Sequence, residues 1–206
     1  QMRKIIMLTV CLVLAAAAAA QAANIVLPEP DRTGGKPIMQ ALADRASAAQ
    51  EKFLKDELSL KELSTVLWAA SGKNREPKGW TAPFAQGREP YVTVYVLLKS
   101  GGYRYDWSKN ALIQITEEKK LISRALSQDF ARSAPCALIF VDRGAINAAD
   151  YGLISTGAMS ENVYLAADSL GLKSRFVVSV NKRGIEEALQ LGPVMKILGA
   201  QIIGRQ

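Results

Sequence analysis

The chain has few side chains that could carry out catalysis on their own. It contains no histidine, so the commonest general base and the commonest metal ligand are missing. Its two cysteines are Cys11, in an apolar N-terminal run, and Cys136, beside Pro135 at the head of an apolar segment. A thiol in such a segment is expected to be buried and inert. We therefore expect any chemistry to be carried by a bound cofactor that the protein positions.

The stretch from residue 155 to residue 179 is predicted to help hold that cofactor. Its Ser-Thr-Gly start, residues 155–157, is typical of a helix beginning, because hydroxyl side chains cap a helix and glycine frees the backbone. Apolar residues follow at helical spacing, and Gly171 is expected to end the helix. Residues 175–180 are rich in β-branched side chains and predict a buried strand.

The first 22 residues are predicted to be a secretory signal peptide. The basic pair Arg3-Lys4 precedes an apolar run that ends in the small-residue pattern Ala20-Gln21-Ala22. An N-terminal membrane anchor is the alternative, and the shortness of the run disfavours it. We therefore predict an exported, periplasmic protein with no stable membrane span after cleavage.

The remaining chain is long enough for one domain with a sizeable core. We predict an extended N-terminal arm over residues 23–36 and a domain over residues 37–206. The formal net charge is +7, from basic residues that are scattered rather than clustered. That distribution suits a small anionic ligand, and the absence of a nucleic-acid-binding motif argues against a nucleic acid partner.

Helices and hairpins along the domain predict an α+β fold. A helix is expected to begin near Pro37, and a capping box from Ser59 to Glu62 predicts the start of a second helix. The loop over residues 72–90 is rich in glycine and proline and is long enough to be functional or disordered. Further strands are predicted at 91–98, 103–105, 112–115, 137–141 and 201–204, and further helices at 116–130 and 182–191.

Several separated stretches resemble the nitroreductase family. LSLKELSTVLWAASGKNR, then GWTAPFA and the strand YVTVYVLL, is similar to a family helix ending in LLWAA, a G-x-NR loop and a TAPSA-like segment. TGAMSENVYLAADSLGL resembles the family's AG-x-x-SQN helix, and RFVVSVNKRGIEEALQLG resembles the strand, loop and helix after it. LGAQIIGRQ resembles the closing VGYPK-like strand. The order and spacing of these stretches carry the resemblance from Pro37 to Arg205.

This resemblance implies a nitroreductase-like α+β fold with an antiparallel-rich central sheet flanked by helices. It also implies a homodimer with two FMN sites at the subunit interface. The flavin would take hydride from NAD(P)H or another donor and pass electrons to a small-molecule acceptor such as a nitroaromatic or a quinone. A cofactor of this kind agrees with the lack of catalytic side chains.

The resemblance further implies which residues bind FMN. The family's R-x-S-x-R motif, which holds the phosphate and ribityl chain, is matched by Arg45 and Ser47, and Arg205 matches a terminal basic position. The TAPSA-like segment and the backbone after the SQN helix lie at the flavin ring. The full predicted set is Arg45, Ser47, Pro83, Phe84, Ala85, Ser160, Asn162, Val178, Ser179 and Arg205.

Three positions depart from the family pattern. Ala49 stands where the second arginine is found, Phe84 replaces a serine, and Glu161 replaces the glutamine of SQN. A phenylalanine at this place could stack on the ring or fill its pocket, and a glutamate facing a reduced flavin would be unfavourable. The alternative is therefore a nitroreductase-like binding or structural protein that has lost FMN, and a different fold is a third interpretation.

Overall fold

The computed structural model describes residues 24–77, 79–82, 89–144 and 149–206. Within them a seven-stranded sheet runs in the order β1-β4-β3-β2-β5-β7-β6, and neighbouring strands are antiparallel throughout. The strands are β1 Ile25–Val26, β2 Val92–Leu98, β3 Gly101–Asp106, β4 Ala111–Thr116, β5 Cys136–Asp142, β6 Lys173–Val177 and β7 Lys196–Gly204. The helices are α1 Ile38–Asp44, α2 Leu60–Ser71, α3 Leu121–Ala125, α4 Asp129–Arg132, α5 Ala149–Ser169 and α6 Lys182–Ala188. The predicted α+β class is confirmed.

Helices cover both faces of the sheet, which explains why its central strands are apolar on both sides. Val94 and Val96 of β2 pack in one core cluster with α2 and α5, whereas Tyr95 and Leu97 pack in a second cluster with α3 and α6. Successive side chains of a strand point to opposite faces. The sheet therefore separates two hydrophobic cores.

The capping box predicted at the start of α2 is present. The Ser59 hydroxyl accepts a hydrogen bond from the Glu62 N–H at 3.2 Å, and the Glu62 carboxylate accepts one from the Ser59 N–H at 2.8 Å. These two bonds satisfy backbone donors that the helix itself leaves unpaired. The start of α2 is therefore set by local sequence.

The predicted start of the long helix α5 is wrong. The helix begins at Ala149, so Ser155 and Thr156 lie inside it and are only 2% and 4% exposed. A Cβ added at Gly152 would come within 2.8 Å of the Asp142 carboxylate, so this part of α5 packs closely on the end of β5. Burial against the sheet has overridden the capping preference. The predicted end is correct, since Gly171 has φ +70° just after the helix.

The single helix predicted over residues 116–130 is also wrong. Thr116 ends strand β4, and two short helices, α3 and α4, follow it. Leu126 separates them because its extended backbone forms a bridge with Val180. The strand predicted to run to residue 180 accordingly ends at Val177.

The N-terminal arm joins the sheet through β1, which pairs with β4 at the sheet edge. The predicted signal peptide lies outside the described residues. Among the residues that are described, no helix is long and apolar enough to cross a membrane.

Candidate functional site

Two side chains on one face of α5 contact two of the predicted phosphate-binding residues. Glu161 and Tyr164 are three residues apart, so they are neighbours on the helix surface. The Arg45 guanidinium lies with its central carbon 5.0 Å from the centre of the Tyr164 ring, and its Nη1 is 3.6 Å from Glu161 Oε2. The Ser47 hydroxyl is 3.0 Å from the Tyr164 hydroxyl. We call Arg45, Ser47, Glu161 and Tyr164 the Tyr164 cluster.

Hydrogen bonds to backbone groups hold the segment after α1 against β6. The Ala48 N–H donates to the Ser174 carbonyl at 2.7 Å, and the Arg175 guanidinium donates to the Ala48 carbonyl at 2.6 Å. The Tyr164 hydroxyl also accepts a hydrogen bond from the Phe176 N–H at 2.8 Å. The segment, the strand and the helix therefore meet at the Tyr164 cluster.

The C-terminus lies beside this segment. The Gln206 amide oxygen accepts from the Ala49 N–H at 3.1 Å, and its nitrogen donates to the Ala49 carbonyl at 3.0 Å. Arg205 accepts through its carbonyl from the Leu54 N–H at 2.8 Å. Its guanidinium, however, pairs with the Glu62 carboxylate of the α2 capping box. Both predicted phosphate cations, Arg45 and Arg205, are thus paired with glutamates.

Ser160 and Asn162 occupy other faces of α5. Ser160 is 8% exposed and accepts through its carbonyl from the buried Gln201 amide at 3.3 Å, so it belongs to the core. The Asn162 amide nitrogen donates to the carbonyls of Ala69 at 3.0 Å and Thr81 at 3.2 Å. Asn162 therefore ties α5 to α2 and to the start of the TAPSA-like segment.

Two of the remaining predicted residues, Val178 and Ser179, directly follow strand β6. Val178 is 70% exposed and Ser179 is also exposed. Within the described parts of the chain, neither of their N–H groups donates to an acceptor. Pro83, Phe84 and Ala85 fall outside the described residues.

The family model described as "Nitroreductase family" matches residues 42–205 of this chain. The chain belongs to the nitroreductase family. A protein of Methanocaldococcus jannaschii that is named as a nitroreductase is 31% identical over 155 residues, which cover 68% of this chain and 78% of that protein. The family and the fold that the sequence motifs indicated are therefore confirmed.

Solved structures agree with this assignment. A crystal structure from Ralstonia eutropha JMP134, also titled as a nitroreductase, has a TM-score of 0.80 and 38% identity, covering 88% of this chain and 89% of that one. An FMN-dependent nitroreductase from Clostridium difficile R20291 has a TM-score of 0.57 and 19% identity, covering 82% of this chain and 87% of its own. At that identity the second comparison shows a shared fold alone.

In this nitroreductase a cleft of about 340 Å³ borders α5. It lies between the N-terminal arm, α1, α2 and α5, and Asn162 lines it. Lys36 forms one wall and donates to Asp44 at 3.0 Å and to Asp168 at 2.9 Å. The hydrogen bond to Asp168, which has the larger effect, and the one to Asp44 raise the pKa of the Lys36 ammonium. The arm is thereby attached to α1 and α5.

The sequence motifs did not indicate two polar residues of the candidate site. Tyr164 lies three residues after Glu161 in a helix already assigned to the site, which was the available signal. Gln206 holds the backbone of Ala49, where the family has its second arginine, and no motif pointed to it. In the described residues no group of histidine, cysteine or acidic side chains could hold a metal ion.

Proposed function

We propose that this nitroreductase is an FMN-dependent oxidoreductase that works as a homodimer. It would transfer electrons from NAD(P)H or another donor to a small acceptor such as a nitroaromatic or a quinone. Family membership supports the reaction class, and an FMN-dependent nitroreductase with the same fold supports the cofactor. The observation that carries the proposal is the Tyr164 cluster, in which a guanidinium and a hydroxyl lie side by side on one aromatic residue.

The donor set at this cluster fits the phosphate of FMN. A guanidinium offers several N–H donors in a planar fork that matches phosphate geometry, and Arg45 is one-third exposed. Ser47 adds a neutral hydroxyl donor within the same cluster. Arg205 would join them if its guanidinium turned away from Glu62, since its neighbour Gln206 already contacts Ala49.

The other end of the site fits the flavin ring. Val178 and Ser179 are exposed residues, and their N–H groups would donate to the polar edge of the ring, a contact that does not depend on side-chain type. Pro83, Phe84 and Ala85 would line the ring. Asn162, and Ser160 through the core, would keep α5 in position. When bound, FMN supplies the hydride and electron transfer, and the residues of the chain bind and orient it.

A homodimer would cover apolar side chains that a single chain leaves exposed. Large apolar residues on α1 and on the first half of α5 are 40–73% exposed. Exposed large apolar side chains that lie together mark interaction sites in soluble proteins. These side chains are Ile38, Met39, Leu42, Tyr151, Leu153 and Ile154. We also propose export to the periplasm, on the basis of the pattern in residues 1–22.

A second candidate is a family member that has lost FMN. Ala49 in place of an arginine favours it, as do the carboxylates paired with Arg45 and Arg205. Purification of the protein, with measurement of its visible flavin absorption and of FMN released on denaturation, separates the two candidates. Yellow protein, or colourless protein that takes up added FMN, supports the oxidoreductase. Colourless protein that takes up none supports the binding or structural role.

A further inference from the structure

We propose that Glu161 weakens FMN binding by placing a negative charge beside the phosphate. This inference rests on the proposed function and extends it to a residue of the chain that opposes the cofactor. Its consequence is a nitroreductase that exchanges FMN readily instead of retaining it tightly.

The Glu161 carboxylate lies beside the predicted phosphate cation Arg45. Its Oε2 is 3.6 Å from Arg45 Nη1, and Arg45 in turn lies over the ring of Tyr164, whose hydroxyl meets Ser47. The carboxylate is therefore at the phosphate end of the proposed site. The sequence raised the case of a glutamate that faces the reduced flavin ring. At the phosphate end, the Glu161 charge would act on the phosphate instead.

The ion pair between Glu161 and Arg45 is partly exposed to solvent. The Glu161 side chain is 45% exposed and that of Arg45 is 32% exposed. A pair as exposed and as long as this one is weak, so it does not prevent Arg45 from turning to a phosphate. The phosphate would still find a like charge a few ångströms away, and at that distance the repulsion is only partly reduced by water and salt.

Both predicted phosphate cations, Arg45 and Arg205, are already paired with carboxylates. Ala49 stands where the family has a second arginine, and its N–H and carbonyl are both bonded to Gln206. Glu62 forms an ion pair with Arg205, as Glu161 does with Arg45. The charges of Arg45 and Arg205 are thus each balanced by a carboxylate, whereas Arg175 is bonded to the Ala48 carbonyl. Removal of the Glu161 carboxylate should therefore have a measurable effect on FMN binding.

The test compares FMN with riboflavin, which lacks the phosphate. Apoprotein of the wild type, of Glu161→Gln and of Glu161→Ala is titrated with each flavin, and binding is followed by flavin fluorescence. Glu117→Gln is the matched control, because Glu117 is an exposed carboxylate just after β4, far along the sheet from β6. We expect both Glu161 variants to bind FMN about fivefold more tightly or better, with riboflavin affinity and the control unchanged.

Salt provides a second readout. With Glu161 replaced, the unbalanced Arg45 charge should make FMN affinity fall more steeply with ionic strength than in the wild type. Equal tightening for riboflavin would overturn the inference, since the effect would then not act on the phosphate. Unchanged FMN affinity in both variants would overturn it while leaving the proposed function in place. Absence of FMN binding in the wild type and in every variant would overturn both.

Discussion

The hydroxyl groups of Ser47 and Tyr164 lie 3.0 Å apart and join the segment after α1 to the middle of α5. The same tyrosine hydroxyl accepts the Phe176 N–H of strand β6. One phenol oxygen therefore connects α5 and the strand that follows it to a segment more than a hundred residues earlier in the chain. The orientation of the proposed phosphate site depends on it.

Replacing Tyr164 with phenylalanine tests that dependence. The ring under Arg45 is kept, but the bonds to Ser47 and Phe176 are lost, so the free energy of unfolding should fall by about 1 kcal/mol. FMN affinity should fall with it, because Ser47 is no longer held in place. Tyr103→Phe is a suitable control, since it also removes a tyrosine hydroxyl bond, here to Ser100, on strand β3, which is far along the sheet from β6. Equal FMN affinity in Tyr164→Phe and wild type would contradict the prediction.

Replacing Arg45 with alanine should weaken FMN binding about tenfold to a hundredfold, because a charge-assisted hydrogen bond to the phosphate contributes about 1.5–3 kcal/mol. Riboflavin binding should change little. Arg143→Ala is the matched control, since Arg143 is also about one-third exposed and ion-paired, with Glu89. The measurement is equilibrium titration of each apoprotein. A parallel loss of riboflavin affinity would show that Arg45 does not act on the phosphate.

The assignment of Arg205 is tested separately. If its guanidinium turns from Glu62 to the phosphate, Arg205→Ala should lower FMN affinity severalfold, and loss of the Glu62 contact should lower thermal stability in the absence of FMN. Thermal melts with and without FMN measure both effects. Unchanged FMN affinity would mean that Arg205 only supports the capping box of α2.

The thiol of Cys136 should be inert in the folded protein. It is fully buried at the start of β5, and burial raises its pKa from 9.0 to about 12. Because the thiolate is the reactive form, a chain that begins at residue 23 should not react with a thiol reagent at pH 8 until denaturant is added. Rapid reaction of the native protein would contradict the burial of β5.

The same shift predicts how stability depends on pH. In the unfolded chain the thiol ionises near its ordinary pKa of 9.0, whereas in the fold it stays protonated to about pH 12. The unfolded state therefore loses a proton first, and the free energy of unfolding should fall as the pH rises from 9 towards 12. Urea titrations of the wild type and of Cys136→Ala across this range measure the contribution, which should vanish in the variant.

The elements that local sequence determines are those whose signals lie within a few residues of one another. The capping box of Ser59 and Glu62 and the glycine that ends α5 are of this kind, because the groups that form each bond are close in the chain. Ordered motifs along residues 37–205 were also sufficient to indicate the family. The start of α5 was not predictable in this way, since it depends on the packing of Gly152 against Asp142.

The candidate site shows the same division. Sequence motifs named Arg45, Ser47 and Arg205 as phosphate-binding candidates, because a motif records residue types and their spacing. They did not indicate that Arg45 meets Glu161 or that Arg205 meets Glu62, since these partners are more than a hundred residues apart. Such contacts exist only once the sheet has brought α5 and the C-terminus beside the segment after α1. The amino-acid order therefore determined the kind of site, and long-range packing determined which charges compete within it.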